Sequence, residues 1–532
     1  MVSVEQFTAD ERRALAPYFT NLDGPIFALR GLPEVVKGAL FARYSRSPKS
    51  LRRLFLDEFL DQVGDTTVAA EVGVARADRL YERVFSDYGD DSVAQLGGAH
   101  IACEGASNIL TKVLEWGRLM AYLEQSTRYI SYTDRSGDRW KYLVPAEIAS
   151  GPLEASYRRC LDQAFATYAA WLPRLDELYQ ARYPKAAADS EAVYRRTIRA
   201  KSLDTLRGLL PAATRSSLGL FGTGQAFEAL LLRLRAHPLR EARECGEQML
   251  IELRHVIPAF LKRVDVEERG LRWSGYLEQC ARATERLTSA LIGSESEDAA
   301  EEVTLVEFDP EGETKVVAAA LYAGSHLPDR QLLELARRMS SDDRAALLQA
   351  YVGERSNRRH RPGRAFERTG YRFDVLTDYG AFRDLQRHRL LTLEWQRLSP
   401  RHGYSLPEAV EEAGAGDDWR RCMDDAAVLY DVIAARNGAA VAAYCIPMAY
   451  RVRFYMEMNA REAMHVIELR TTPQGHPAYR RVCQQMHRLI AEEAGHHAIA
   501  AAMSYADHSA VELERLAAER RSEQRRDQQG GE

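Results

Sequence analysis

Apolar residues recur at three- and four-residue spacing through 155–179, 225–264, 329–353, 418–443 and 478–505, the periodicity that gives a helix one continuous apolar stripe. These stretches are predicted helical, the second interrupted near Pro238, because proline clashes with the preceding turn of a helix. Two shorter stretches alternate instead. Thr304-Leu305-Val306-Glu307-Phe308 does so cleanly and Tyr371–Leu376 roughly, which predicts strands with one buried face. Long helices with a few separate strands predict an α+β fold.

The apolar pattern also repeats. Glu34-Val35-Val36-Lys37-Gly38-Ala39-Leu40-Phe41-Ala42 returns as Thr314-Lys315-Val316-Val317-Ala318-Ala319-Ala320-Leu321-Tyr322-Ala323 with a small shift, and Leu230–Arg235 returns as His465–Arg470. Copies this long are domains rather than solenoid units, and 532 residues exceed what one hydrophobic core usually serves. The polar, acidic stretch at 291–302 is the expected linker. It separates a first copy, 1–290, from a second, 303–510. The run from 511 to 532, rich in Arg, Glu and Gln, is expected to be a frayed helix and tail.

Composition narrows the class of partner. With 46% hydrophobic and 28% charged residues and a net charge of -5, the chain lacks the basic excess of a bulk nucleic-acid binder. Local basic stretches at Arg43–Arg53 and Arg355–Arg368 suit either a solvated surface or the steering of a phosphorylated metabolite. No apolar run reaches the ~20 residues of a membrane span, and no cationic segment followed by an apolar one opens the chain, so no membrane association and a cytoplasmic location are expected. Seven scattered cysteines without a Cys-x-x-Cys pair argue against zinc ribbons, redox motifs and a secreted disulfide framework.

Two segments concentrate the candidate chemistry. One reads Trp116-Gly117-Arg118-Leu119-Met120-Ala121-Tyr122-Leu123-Glu124-Gln125-Ser126-Thr127-Arg128-Tyr129. The other reads Arg387-His388-Arg389-Leu390-Leu391-Thr392, followed by Glu394-Trp395-Gln396-Arg397. Together they resemble the two ends of the signature of flavin-dependent thymidylate synthases: Arg-His-Arg, two residues, Ser, one residue, Asn-Glu, one residue, Ser, one residue, Arg-Tyr. The first segment keeps the nucleotide end and the second keeps the flavin end. The resemblance implies a helix-rich domain with a small antiparallel sheet, present here in two tandem copies.

For the nucleotide, the resemblance implies Glu124, Gln125, Ser126 and Arg128 from the signature, with Arg207 in an Arg-x-x-x-Pro stretch and Arg235 at the end of the late repeat. The planar fork of arginine suits phosphate oxygens better than the point charge of lysine. Ser126 has no His-Asp pair spaced to activate it, so it is expected to position substrate. For FAD, the resemblance implies Glu367 in Ala365-Phe366-Glu367, the triplet Arg387, His388 and Arg389, and Asn459 and Arg461 with His465 and Arg470. His465 stands where the family has Asn. By this matching Gly224 and Ala226 take the places of Asn459 and Arg461 in the first copy, so one FAD per chain is expected, bound mainly by the second.

The implied reaction, with Ser126, Arg235 and Arg470 at its centre, methylates dUMP to dTMP using methylenetetrahydrofolate and NADPH, with no attacking cysteine. Because the two copies lose opposite ends of the signature, a single mixed site is expected, in a homodimer that restores four domains. Two readings compete with methylation: hydroxymethylation of a related pyrimidine nucleotide, and a non-catalytic protein that binds nucleotide or flavin. A third reads Glu462-Ala463-Met464-His465 and Glu493-Ala494-Gly495-His496 as the Glu-x-x-His pairs of a di-iron bundle. A Glu-rich chain produces such pairs by chance, and no metal is expected.

Overall fold

The computed structural model describes residues 5–44, 47–60, 95–135, 137–187, 189–293, 295, 301–511, 513 and 515–529. The chain forms two compact units. Unit 1 holds Met1–Gly105, Gly117–Glu124 and Ser217–Glu295; unit 2 holds Ala106–Trp116, Gln125–Ser216 and Ser296–Glu532. These units do not follow the sequence copies, because the middle of the first copy packs with the second. Half of the acidic linker, 294 and 296–300, lies outside the described residues. Glu302 at its end is fixed by Arg481 at 2.7 Å and by the Gln485 amide at 2.6 Å.

The two copies share a core order of strand, helix, strand, helix, strand and helix, with further helices added differently in each. The first has α1 (Glu34–Tyr44), β1 (Gly98–Ser107), α2 (Asn108–Leu114), β2 (Met120–Glu124), α3 (Glu154–Arg182), α4 (Glu191–Leu206), β3 (Arg215–Thr223), α5 (Gly224–Arg235), α6 (Arg240–Arg254) and α7 (Arg272–Ile292). The second has β4 (Val303–Phe308), α8 (Gly312–Tyr322), α9 (Asp329–Arg338), α10 (Ser341–Val352), β5 (Gly370–Asp378), α11 (Tyr379–Leu385), β6 (Thr392–Trp395), α12 (Gly416–Asn437), β7 (Arg451–Asn459), α13 (Ala460–Arg470), α14 (Pro477–Glu492), α15 (His497–Ala502) and α16 (Leu516–Gln529). The sheets run β1-β3-β2 and β4-β5-β7-β6. Removing edge strand β4 leaves the same topology twice. In β5 and β7 alternate residues such as Tyr371, Phe373, Val375, Phe454 and Met456 are buried, as strands with one core-facing side require.

Strand-to-helix junctions repeat as well. Ser107 and Asp378 each cap the next helix by accepting a backbone N–H three residues on, and Thr223 and Asn459 do the same for α5 and α13. A side-chain oxygen thereby satisfies a donor that the helix start leaves orphaned. The cap sets Thr223 opposite Asn459, so Gln225, not Ala226, opposes Arg461. This corrects the sequence matching by one residue and leaves its consequence intact, since Gln225 is not cationic.

Within unit 2 the duplication becomes a pseudo-two-fold contact. Pro211 and Pro447 form an antiparallel bridge. Around it the bonds are reciprocal: Ala212 N–H to Ile446 O and Met448 N–H to Leu210 O, then Ala213 N–H to Tyr444 O and Ala449 N–H to Gly208 O. Equal partners contacting each other in both directions define an isologous interface. Trp419 of α12 lies against Gly208, where an added Cβ would come within 2.6 Å of the indole.

Several predicted helices are broken by local caps. The 329–353 stretch divides where Ser340 accepts from the Asp343 N–H to start α10. The 418–443 stretch stops at Gly438, with φ of 86°, and the 478–505 stretch near Gly495, with φ of 67°. The charged tail is not merely frayed. Its helix α16 docks on α4 through Arg520–Asp189 and Arg196–Glu519. Among the described residues no helix is long and apolar enough to cross a membrane.

Candidate functional site

Arginines from both copies converge in unit 2 beside the pseudo-two-fold. The turn after β2 brings in Arg128, the end of α4 supplies Asp204, and Arg207 opens the short turn that follows. Arg128 is buried and nearly saturated. Its Nε and Nη2 grip the Asp204 carboxylate at 2.7 and 2.6 Å, Nη1 donates to the Tyr479 hydroxyl at 3.0 Å, and Nη2 also reaches the Gln474 carbonyl at 3.2 Å. Burial opposes the charge on both partners, yet their mutual attraction outweighs it, so Asp204 stays below the usual carboxylate range and Arg128 above its own ordinary value. This is a strut that ties the first copy's signature turn to the second copy's α14.

Arg207 is different. It is 4% exposed, its Nη1 lies 3.6 Å from Asp384, and its Nη2 is buried without a hydrogen-bond partner. Arg387 approaches the other oxygen of Asp384 at 3.8 Å. Burial pushes the Asp384 carboxyl up, but Arg387, Arg207, Arg470 and Arg128 prevail and hold it well below the usual range. Four arginines around Asp384 and Asp204 leave a cationic excess in a desolvated place. A buried unpaired donor costs roughly 1–3 kcal/mol, and an anionic ligand would relieve both that cost and the excess charge.

The start of α13 organises a second group. Asn459 caps the helix through Glu462 N–H at 2.9 Å. Arg461 donates to Pro362 O at 2.9 Å and lies 3.5 Å from Glu367, which Arg364 also holds at 3.0 Å. Arg470 Nε donates to His388 Nε2 at 2.9 Å, and Arg361 lies 2.8 Å from His465 Nδ1. Glu462 faces His388 Nδ1 at 3.7 Å. Burial raises the Glu462 carboxyl to about 7 against the pull of Arg361, Arg461 and Arg389. Burial, then Arg361, lowers His465 to about 4, and burial, then Arg470, puts His388 well below its ordinary value. Both imidazoles are therefore neutral near pH 7.

Ligand atoms of His388, Glu462 and His465 lie within 4.8 Å of one another, close enough for a metal ion. The surrounding charge argues otherwise. Arginine only donates, so the ring nitrogen it meets is an acceptor and the proton sits on the other nitrogen. His388 thus presents N–H rather than a lone pair to Glu462, and Arg361, Arg389 and Arg461 lower the Glu462 carboxyl and would repel a cation there.

The description "Thymidylate synthase complementing protein" belongs to the family whose sequence pattern matches residues 39–259 and again 304–495. A UPF0159 protein of Chlamydia muridarum is 37% identical over 98% of this chain and 99% of its own. The chain is a member of the thymidylate synthase complementing protein family. A UPF0159 protein of Chlamydia pneumoniae is 36% identical over 98% of each chain, and one of Thermoplasma acidophilum, Ta1429, is 29% identical over 91% of this chain. A solved structure, the UMP/dUMP methylase PolB of Streptomyces cacaoi bound with 5-Br dUMP, covers 37% of this chain and 94% of its own at 21% identity and a TM-score of 0.29. The double match and the repeated sheet make this a tandem, two-copy member of the family.

Of the residues this family member was expected to use, unit 2 brings together Arg128, Arg207, Arg387, His388, Arg470 and His465, with Glu367, Asn459 and Arg461 along α13 and its neighbour. Arg389 is exposed. Ser126 Oγ accepts from Arg128 N–H at 3.2 Å and shapes the turn, while Gln125 is exposed and its carbonyl accepts from Ser216. Glu124 and Arg235 lie in unit 1. Glu124 is buried, and Arg235 is held by Glu247 at 2.7 Å and by Val264 O at 3.0 Å. Asp384, Asp204, Tyr479, Arg361 and Arg515 were missed. Arg361 could have been found in the 355–368 basic run, which is not uniformly a solvated surface: Arg355 there pairs with Glu468 at 2.6 Å, both at most 3% exposed.

Proposed function

We propose that the chain methylates dUMP to dTMP at one mixed site, with FAD held mainly by the second copy, NADPH as reductant and methylenetetrahydrofolate as one-carbon donor. The observation that carries this reading is the sharing of Asp384 by first-copy Arg207 and second-copy Arg387, with a buried, unpaired Arg207 N–H beside them. The donor set fits an anionic dinucleotide: Arg387 and Arg470 offer charge, and neutral His388 can sit against an uncharged ring. Glu367, Arg461 and His465 extend the same surface.

When bound, FAD supplies the hydride that reduces the transferred methylene group, and NADPH restores it. The protein's own part is placement. Asp384 orients Arg207 and Arg387 toward a common point, the Arg128–Asp204 strut fixes the turn that carries Ser126, and burial strengthens each charge contact. Two such chains would pair as a homodimer.

The test is release of label from carbon 5 of dUMP in the presence of all three partners, together with rescue of a thymidine-requiring bacterium. Arg207→Ala and Arg387→Ala should each lower release by about 100-fold or more, as loss of an electrostatic donor does elsewhere. Release with another pyrimidine nucleotide but not dUMP would replace methylation of dUMP by a related modification. No release with any pyrimidine would leave a non-catalytic binder.

A further inference from the structure

The C-terminal strap carries a charge that neither family motif nor fold accounts for. Arg515, just ahead of α16, is 6% exposed, and its Nε and Nη1 are buried without hydrogen-bond partners. Its guanidinium stacks 3.9 Å above the ring of Tyr129, the last residue of the signature turn. Burial and the nearby charge of Arg128 both disfavour its ionised form, and Asp204 and Tyr129 only partly compensate. The strap is fixed in place: Arg520 bonds Asp189 at 2.8 Å, Glu523 accepts from Ser190 at 2.5 Å, and Glu519 meets Arg196 at 3.1 Å.

A guanidinium brought beside another arginine, with two dry N–H groups unmatched, is destabilising unless a ligand completes it. Nε and Nη1 lie on opposite edges of the guanidinium, so one anion meets a single edge, Nε or Nη1 together with Nη2. A phosphate monoester offers two oxygens to such an edge and supplies the missing negative charge. Arg128 cannot substitute, because Asp204, Tyr479 and Gln474 occupy its donors.

We propose that Arg515 binds the phosphate of the pyrimidine nucleotide, so that the docked C-terminal strap completes the site at the signature turn. This rests on the nucleotide reading above. Stacking on Tyr129 sets the plane of the guanidinium, and the α16–α4 ion pairs set its depth. The strap is thus part of the binding site rather than a solvated tail.

Calorimetric titration of the full chain with dUMP, deoxyuridine and inorganic phosphate tests it. Arg515→Ala should weaken dUMP binding by about 30-fold or more, in keeping with the loss of charge-assisted hydrogen bonds. Arg515→Lys should recover part of it, and the much weaker binding of deoxyuridine should be unchanged. A thermal melt of each variant separates binding loss from unfolding, and Arg520→Ala, which loosens the strap but keeps Arg515, should weaken dUMP and not deoxyuridine. Wild-type affinity for dUMP in a folded Arg515→Ala protein overturns the proposal and spares the nucleotide reading. Phosphate binding that needs Arg515, in a protein that ignores dUMP, keeps Arg515 as an anion ligand and removes the pyrimidine. Failure of the wild type to bind either one overturns both.

Discussion

Arg207 and Ala443 occupy equivalent places beside the paired prolines Pro211 and Pro447, yet one is a buried cation next to Asp384 and the other a buried methyl group. The strand registers extend the comparison. Ala121–Glu124 pairs along β3 as Thr392–Trp395, the whole of β6, pairs along β7, which sets Trp395 opposite Glu124, Arg397 opposite Ser126 and Ser399 opposite Arg128. The caps likewise set Val113 opposite Asp384, Trp116 opposite Arg387, Gly117 opposite His388 and Ala440 opposite Asp204. Every charged member of the cluster around Asp384 has a neutral counterpart across the pseudo-two-fold. Duplication supplies two equivalent places, and only one needs to keep its chemistry. The other is free to keep packing alone, which tolerates many apolar choices.

The largest effect should be on flavin. If the charged side is the flavin side, purified protein carries about one FAD per chain, and Arg387→Ala combined with Asn459→Ala removes the yellow colour. Trp116→Ala combined with Thr223→Ala is the matched control, because Thr223 and Asn459 cap their helices in the same way. Each cap loss costs about 1 kcal/mol of stability, but only the first pair should bleach the protein. Absorbance of the bound flavin after gel filtration decides the matter. Two flavins per chain, or equal bleaching by both pairs, would break the asymmetry.

A smaller effect separates Arg128 from Ser399. Removing Arg128 leaves Asp204 as a buried charge without its main partner, a loss of about 3–5 kcal/mol in comparable pairs. Ser399 accepts only a long bond from Arg401 N–H, at 3.5 Å. Ser399→Ala should therefore cost under about 1 kcal/mol. Urea unfolding of the two variants measures the difference. A mild Arg128→Ala that nonetheless abolishes dUMP binding would mean that Arg128 is a phosphate ligand and not a strut.

Sequence periodicity revealed most of the architecture because it reports which face of each element is buried. The 155–179 helix and both strand candidates lie within observed elements, α3, β4 and β5. Periodicity does not report breaks that preserve the apolar face, so the Ser340 cap inside 329–353 went unseen, although Ser340 with Asp342 and Asp343 after it is a cap signal. The candidate site divides in the same way. Residues inside a spaced motif, such as Arg387, His388, Asn459 and Arg461, were legible. Their partners were not, because nothing local tells Asp384 or Asp204 from any other helix aspartate until tertiary packing brings arginines to it. Arg515 was hidden by composition: a tail rich in Arg, Glu and Gln reads as solvated, and only docking on α4 buries it.

The third position of the helix after each sheet gives the finest comparison. Ala226 occupies it in α5 and Glu462 in α13, both buried, so only the second copy carries an ionisable group there. Burial raises Glu462 from about 4.5 to about 7. The unfolded chain releases this proton first, so between those values the folded state holds more protons and stability falls as pH rises. His388 and His465 act in the opposite sense. Held neutral in the fold, they lose stability as pH drops below about 6.5. These contributions largely cancel when Glu462→Gln is compared with the parent, since both proteins keep the imidazoles and Arg361, Arg389 and Arg461. Relative to the Gln variant, the parent should lose up to roughly 3 kcal/mol between pH 4.5 and 7, measured as the unfolding midpoint in urea at half-unit steps. Parallel curves for the two proteins would mean that Glu462 is ionised throughout, held by its arginines as an ion pair, and the second copy would then differ from the first there by a fixed charge instead of a titrating one.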